Sequence, residues 1–165
     1  MMMNKAKLNF DSCGSIPSPV GPVSVYAQGD SIVYLEMVHD AAPNDKRSPA
    51  VDYALQQLDD YFTGRSTVLD FKVRADGTEF QKKVWAEIAK VPFGETISYA
   101  QIAERIGNPK ASRAVGGAVG SNPVALVIGC HRVMGASGRI TGFSGGDGIP
   151  TKRWLLAHEA IASVD

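Results

Sequence analysis

SYAQIAERIGNPKASRAVGGAVG, residues 98–120, decides how the chain is built. Ser98 and Gln101 stand at the spacing of a capping box, in which a hydroxyl and an amide each satisfy a backbone N–H that a helix leaves free. Gly107 closes this short helix. Asn108-Pro109 predicts the cap of a second helix that runs to about Gly120. Two short helices joined by a tight glycine-containing turn are the signature of a helix-turn-helix. The second helix carries almost only tiny side chains, with Arg113 as its one long cation after the first turn. Tiny side chains let a helix backbone come close to something large, and they equally suit tight packing of one helix on another.

Upstream, Thr78 and Gln81 form another capping box and launch a helix with Phe80, Val84 and Ile88 on one face. It stops before Pro92, because the residue preceding a proline avoids the helical region. Downstream, Val124-Ala125-Leu126-Val127-Ile128 is an apolar run of strand length, so a buried strand is predicted. It leads directly into Gly129-Cys130-His131-Arg132-Val133. A glycine-rich loop follows over residues 135–148, then a helix from about Pro150. Trp154, Leu155, His158, Ile161 and Ala162 are expected on its apolar face, with Glu159 at the edge of that stripe. A carboxylate there needs a partner, because burying an unpaired charge is costly.

The front of the chain reads as a small α+β unit. Residues 23–26 and 32–35 alternate or run apolar around Gly29-Asp30, which is a β-hairpin signal. Residues 41–46 read as a loop around Pro43. Ser48-Pro49 supplies an N-cap and a first-turn proline for a helix with Val51, Leu55, Leu58 and Phe62 at helical spacing, ended by Gly64. This helix must lie on the hairpin, and residues 67–73 look like one more strand. His39 at a strand end and His158 on a helix face look ordinary, and Cys13 lies in an inert Gly/Ser/Pro-rich approach. No paired acids, metal-ligand spacing or phosphate loop appear in this half. Arg74-Ala75-Asp76-Gly77 is the joint. The fold class is therefore α+β: a mixed sheet-plus-helix domain over residues 1–76, then a helical domain with the helix-turn-helix over residues 77–165.

The 165 residues have no net charge, but the charges are unevenly placed. Residues 1–78 carry seven Lys/Arg against ten Asp/Glu, and residues 79–165 carry ten against seven. The back half is thus the half suited to face a polyanion. No apolar run reaches the roughly 18 residues of a membrane span. The polar start Met1-Met2-Met3-Asn4-Lys5 lacks a signal region, and only Cys13 and Cys130 are present, so a reducing cytoplasm is expected.

A thiol is a strong nucleophile only as thiolate, and a free cysteine has a pKa near ~8.5. Activation needs a base, and the base needs an orienting group. His131 adjoins Cys130, and Glu159 is the acid best placed to hold that histidine. Neighbouring side chains point apart, so a water between sulfur and imidazole fits the pair. Adjacency alone fits a structural cysteine beside a surface histidine better than a nucleophile.

The full context changes that balance. Phe93-Gly94-Glu95-Thr96 with Ser98-Tyr99, Arg113-Ala114-Val115-Gly116 and Ser121-Asn122-Pro123-Val124 occur in order. Cys130-His131-Arg132-Val133, Ser144-Gly145-Gly146 and Lys152 with Trp154-Leu155-Leu156 and His158-Glu159 complete the series. From Phe80 to Glu159 the chain closely resembles the O6-alkylguanine-DNA alkyltransferases, the methylated-DNA–protein-cysteine methyltransferases. The front half resembles that family's ribonuclease-H-like domain in outline. The resemblance implies a winged-helix-like back domain and single-turnover repair of duplex DNA, with an alkyl group moved from O6 of guanine to Cys130. It implies that His131 takes the thiol proton through a water and that Glu159 orients His131. Tyr99 would help flip the damaged nucleotide and give a proton to the departing guanine, and Asn122 would tie the recognition helix to the cysteine loop. Arg113 would fill the space left in the duplex, with Ser112, Ala114 and Gly116 beside it in the minor groove. Val133, Met134, Ser144 and Gly145 would line the guanine pocket. No cofactor or metal is implied, and a monomer is expected.

The resemblance breaks at one position: the family normally has proline before the cysteine, and here Gly129 stands there. Glycine frees φ where proline fixes it, so a looser active-site loop is expected, with Gly129→Pro raising stability or rate. The metal-ligand cysteines some relatives carry in the front domain are missing, and no structural zinc is expected. The principal rival is a non-catalytic sensor of alkylated bases on the same scaffold. Such sensors replace the cysteine, which here is present. A helix-turn-helix regulator and a cysteine hydrolase find less support.

Overall fold

Val23 and Val25 alternate with Ser24 and Tyr26, and that alternation becomes the middle strand of a three-stranded antiparallel sheet. The structure is a computed structural model describing residues 8–37 and 45–163. His39 and most of the expected loop over residues 41–46 lie outside the described residues. Strands β1 (Ser12–Ile16), β2 (Val23–Gln28) and β3 (Ser31–Met37) pair in sequence order. Cys13 opposes Tyr26, which opposes Tyr34. Gly29, at a φ of +60°, makes the predicted hairpin turn, a backbone conformation that costs other residues more. Strand β1 itself was not foreseen, so Cys13 is a buried strand residue rather than part of a loose approach.

Helix α1 (Pro49–Phe62) begins as expected, with the Ser48 hydroxyl accepting from Val51 N–H. Its Val51, Ala54, Leu55 and Leu58 bury against Val23, Val25, Ala27 and Leu35 of the sheet. Burial stabilises each large aliphatic side chain by roughly 1.5–3 kcal/mol. The strand expected over residues 67–73 does not form. Only Val73 bridges to Ile32, while Gln57 Oε1 accepts from the N–H groups of Asp70 and Phe71. A side chain of α1 thus takes the donors that a ladder would have used.

In the back half, α2 (Glu79–Ala89) and α3 (Tyr99–Arg105) each carry the complete capping box read from the sequence. Helix α4 (Ser112–Gly120) starts later than expected, because Asn108 is spent on a turn that accepts from Ala111 N–H. Ala111 is the cap residue and has no side-chain cap, which places Arg113 within the first turn. Trp85 Nε1 donates to the Ala118 carbonyl at 2.8 Å and locks α2 onto α4. Two short parallel strands, β4 (Ile97–Ser98) and β5 (Val133–Met134), set the start of α3 beside the chain that follows the cysteine.

Residues 124–128 are buried at Val124, Leu126 and Ile128 but are not a strand. Ile128 N–H returns to the Val124 carbonyl and Leu126 has a φ of +74°, so the run folds back on itself. The last helix, α5 (Ile149–His158), ends one residue before Glu159, so Ile161 and Ala162 lie beyond it. Ala160, at a φ of +57°, turns the chain away. Val124, Leu126 and Leu155 belong to the same apolar cluster as the front sheet and α1. Among the described residues no helix is long and apolar enough to cross a membrane.

Candidate active site

The chain reaches Cys130 through a tight bend. Cys130 N–H donates to the Ile128 carbonyl at 2.7 Å, with Gly129 at φ −71° and ψ 64°, the geometry of an inverse γ-turn. A single 3-10 turn, Cys130–Arg132, follows and sends Cys130 and His131 in different directions. Proline shares Gly129's φ, so backbone freedom is not what glycine supplies here. A Cβ at this position would lie 2.9 Å from Arg132 Nη1 and 3.2 Å from its Cδ. A side chain here therefore requires the Arg132 guanidinium to shift.

Cys130 is 8% exposed and opens into a cavity of about 440 Å³ lined by Tyr99, Gly116, Val119, Phe143 and Ser144. Tyr99 is the first residue of α3, and its hydroxyl shares a 2.7 Å hydrogen bond with Thr141 of the glycine-rich loop. Gly116 brings the backbone of α4 to the same opening. Asn122 lies just past α4; its Nδ2 donates to the Ile128 carbonyl and its Oδ1 accepts from Val124 N–H, at 2.7 and 3.0 Å.

Behind the cysteine sits a closed polar cluster centred on Glu159. Its Oε2 accepts from His131 Nε2 at 2.6 Å, Tyr61 Oη at 2.7 Å and Arg132 Nη2 at 3.0 Å. Its Oε1 accepts from Arg132 Nε at 2.8 Å and Gly94 N–H at 3.0 Å. Arg132 Nη1 donates to the Val91 carbonyl. A carboxylate offers about four lone-pair sites, so this one is fully occupied. Because Glu159 accepts at Nε2, the proton of neutral His131 resides there and Nδ1 is left as the acceptor. Nδ1 is buried and has no hydrogen-bond partner among the described residues.

Electrostatics sort these groups. Burial pushes the Glu159 carboxyl up, but the hydrogen bonds from His131 and Arg132 more than offset it and hold the group well below the carboxylate range. Burial pulls His131 below its ordinary value, against the raising effect of Glu159, which favours the neutral imidazole. Burial also raises the Cys130 thiol, opposed by the Asn122 hydrogen bond and the Lys152 charge. Lys152 is itself buried, donates to the Val133 carbonyl at 2.7 Å and is lowered to about 8 by burial. The site thus holds a neutral base, an ionised acid and a cation near a thiol that needs help to ionise.

The sequence-derived residues do not all meet at the cavity. Cys130, His131, Glu159, Tyr99, Asn122, Gly116 and Ser144 converge on the cavity or the cluster behind it. Arg113 and Ala114 are exposed on α4, with Ser112 half-buried at its start, so they face outward rather than into the cavity. Val133 is fully buried in the core. Met134 lines a neighbouring groove with Tyr99 and Ser112, and Gly145 packs beneath the cavity against Met37 and Phe143. Sequence reading missed Tyr61, Arg132, Thr141 and Phe143, and gave Lys152 no role. The signal for Arg132 was present: one histidine cannot satisfy a buried carboxylate, and an arginine stands next to it.

Residues 12–75 match the model of the 6-O-methylguanine DNA methyltransferase ribonuclease-like domain, and residues 79–161 match that of its DNA-binding domain. The chain belongs to this family. The methylated-DNA–protein-cysteine methyltransferase of Mycobacterium leprae is 41% identical over 92% of this chain and 96% of its own length. That of Haemophilus influenzae is 38% identical over 90% and 86%. The crystal structure of Mycobacterium tuberculosis OGT in complex with DNA superposes with a TM-score of 0.80, at 40% identity over 90% of this chain and 92% of that one. The family's two-part plan places the ribonuclease-like unit on the sheet and α1, and the DNA-binding unit on α2 to α5.

Proposed function

We propose that the protein repairs duplex DNA by taking an alkyl group from O6 of guanine onto Cys130, once per molecule. The observation that carries this is the pairing of an open cavity at Cys130 with a buried histidine whose Nε2 is fixed by Glu159 and whose Nδ1 is free to accept. The alkylated oxygen is unreachable inside a duplex, so the nucleotide is flipped out at a cost of about a few kcal/mol. His131 Nδ1 takes the thiol proton through a water, the sulfur attacks the alkyl carbon, and the carbon–O6 bond breaks. Tyr99 gives its proton to the departing guanine and regains one from solvent, while His131 releases the thiol's proton to solvent, so the net movement is one proton from thiol to guanine. The product is a thioether, which leaves no nucleophile for a second turn.

Arg113 fills the vacated space in the duplex, and Ser112, Ala114 and Gly116 let α4 approach along the minor groove. Asn122 keeps α4 and the cysteine turn in register. Ser144 and Gly145 shape the guanine pocket, with Val133 and Met134 forming the wall behind it. The protein acts as a monomer in the cytoplasm, with the boundary between structural and reacting domains at residues 76 and 77. The test is intact and peptide mass after mixing with duplex carrying one O6-methylguanine. One methyl on the Cys130 peptide, stopping at one per chain and absent in Cys130→Ser, is expected. Tight binding without a mass change would replace transfer by lesion sensing.

A further inference from the structure

We propose that Tyr61, on α1 of the front domain, is a positioning residue for the chemistry at Cys130: its hydroxyl on Glu159 Oε2 limits how strongly Glu159 stabilises the protonated form of His131. The inference rests on the alkyl-transfer reading for its kinetic consequence, but the coupling itself is a property of the free protein.

Three donors converge on Oε2, and two of them are not His131. Each hydrogen bond to a carboxylate withdraws charge from it and weakens its pull on the next donor. Oε2 and the Tyr61 hydroxyl are both buried, where a hydrogen bond is less diluted by water. Packing alone would not need the hydroxyl. The ring is held edge-on by Phe62, Phe93 and His158, at centroid distances of 5.2, 6.0 and 4.9 Å, contacts that phenylalanine would reproduce. The backbone of the same residue is fixed from the same side, because His158 Nε2 donates to the Tyr61 carbonyl at 2.6 Å. The end of α1 is therefore clamped to the end of α5 at two points, one of them the carboxylate that holds the base.

The charges around His131 set the sign. Its own turn contributes Cys130 and Arg132, and the α5 segment contributes Lys152 and Glu159. Helix α1 contributes only Tyr61, through Glu159, while His158 faces the Tyr61 carbonyl and the Trp154 ring. Arg132 and Lys152 disfavour the imidazolium and Glu159 favours it. Loss of the Tyr61 donor leaves Glu159 less restrained, so the imidazolium gains. His131 is then neutral only at higher pH.

The experiment follows the His131 ring nitrogens by NMR titration of free Tyr61→Phe, and separately the rate of methyl transfer from an O6-methylguanine duplex against pH. A rise of about half a unit or more in the His131 titration is expected, with the acid limb of the rate moving alongside and transfer at low pH falling roughly three- to tenfold. Site-specific 3-fluorotyrosine at position 61, a stronger donor of the same shape, is expected to move the titration the other way. Titrations unmoved by both replacements, or moved in the same direction by both, would overturn the proposal. If the wild type transfers no methyl while His131 still moves oppositely in the two variants, the coupling stands and the transferase reading falls.

Discussion

At the scale of single residues, Gly129 shows how the neighbours of a position add to what its type alone suggests. The sequence suggests loss of rigidity, yet the bend has a φ of −71°, which proline accepts without strain. Its N–H donates to no group among the described residues, so proline would cost no backbone bond there. Replacing glycine would ordinarily stabilise by about 0.4–1 kcal/mol through the unfolded chain. Here the added Cβ would meet the Arg132 guanidinium at 2.9 Å, and that group is anchored at three atoms by Glu159 and the Val91 carbonyl. Gly129→Pro is therefore expected to give no gain in thermal stability and to slow methyl transfer severalfold, because Arg132 must shift and Glu159 with it. A variant both more stable and at least as fast would show that Arg132 yields freely. The same residues show how much of the site was legible. Cys130, His131 and Glu159 were singled out through the ordered motifs of the family resemblance, because the Cys-His adjacency alone fits a structural cysteine equally well or better. Tyr61 was not, since its link to Glu159 joins positions 98 residues apart and depends on how two helices meet.

At the scale of elements, the legible ones carried their own boundary signals. Thr78 with Gln81 and Ser98 with Gln101 close both halves of a capping box within one helical turn, so nothing distant was needed. The elements misread were those settled from outside. Residues 67–73 gave their donors to Gln57, and residues 124–128 fold back through a positive φ at Leu126 while Val124 bridges to Leu35 of the front sheet. Helix α4 combines both cases: its existence was legible and its start was not, because Ala111 carries no cap. Its small residues have a consequence that can be measured. Gly117 is exposed mid-helix, and an added Cβ would meet no atom within 4 Å. Gly117→Ala should stabilise the protein by about 0.5–1 kcal/mol, since glycine is the poorer helix former. It shares the exposed side of α4 with Arg113 and Ala114, the side assigned to the duplex, so the added methyl should weaken duplex binding severalfold. Thermal unfolding and a duplex titration at fixed salt check the two effects in one variant. Gained stability with unchanged affinity would mean that DNA does not approach this face closely.

At the scale of the whole molecule, the two halves are distinct in sequence and charge but share interior. Val124, Leu126 and Leu155 complete the apolar cluster of the front sheet and α1, and Trp154 packs against it. Backbone bonds cross at Leu35 to Pro123 and at Gly146 to Met37, the second fixing the loop that borders the cavity. Neither half therefore closes its core alone, and the buried Glu159 cluster would lose the Tyr61 donor if they parted. A buried carboxylate stripped of a partner is destabilising in itself. Partial unfolding of one half should consequently carry the other with it. The two tryptophans allow a direct test, since Trp85 is buried in the back core and Trp154 lies at the seam. Fluorescence of Trp85→Phe, which then reports Trp154 alone, and far-ultraviolet circular dichroism should give the same urea midpoint and the same slope. Were Trp154 to become exposed at clearly lower urea than the loss of secondary structure, the seam would open first. The front domain would then be a detachable neighbour of the reacting half, and its hold on Glu159 would be lost before the cysteine turn unfolds.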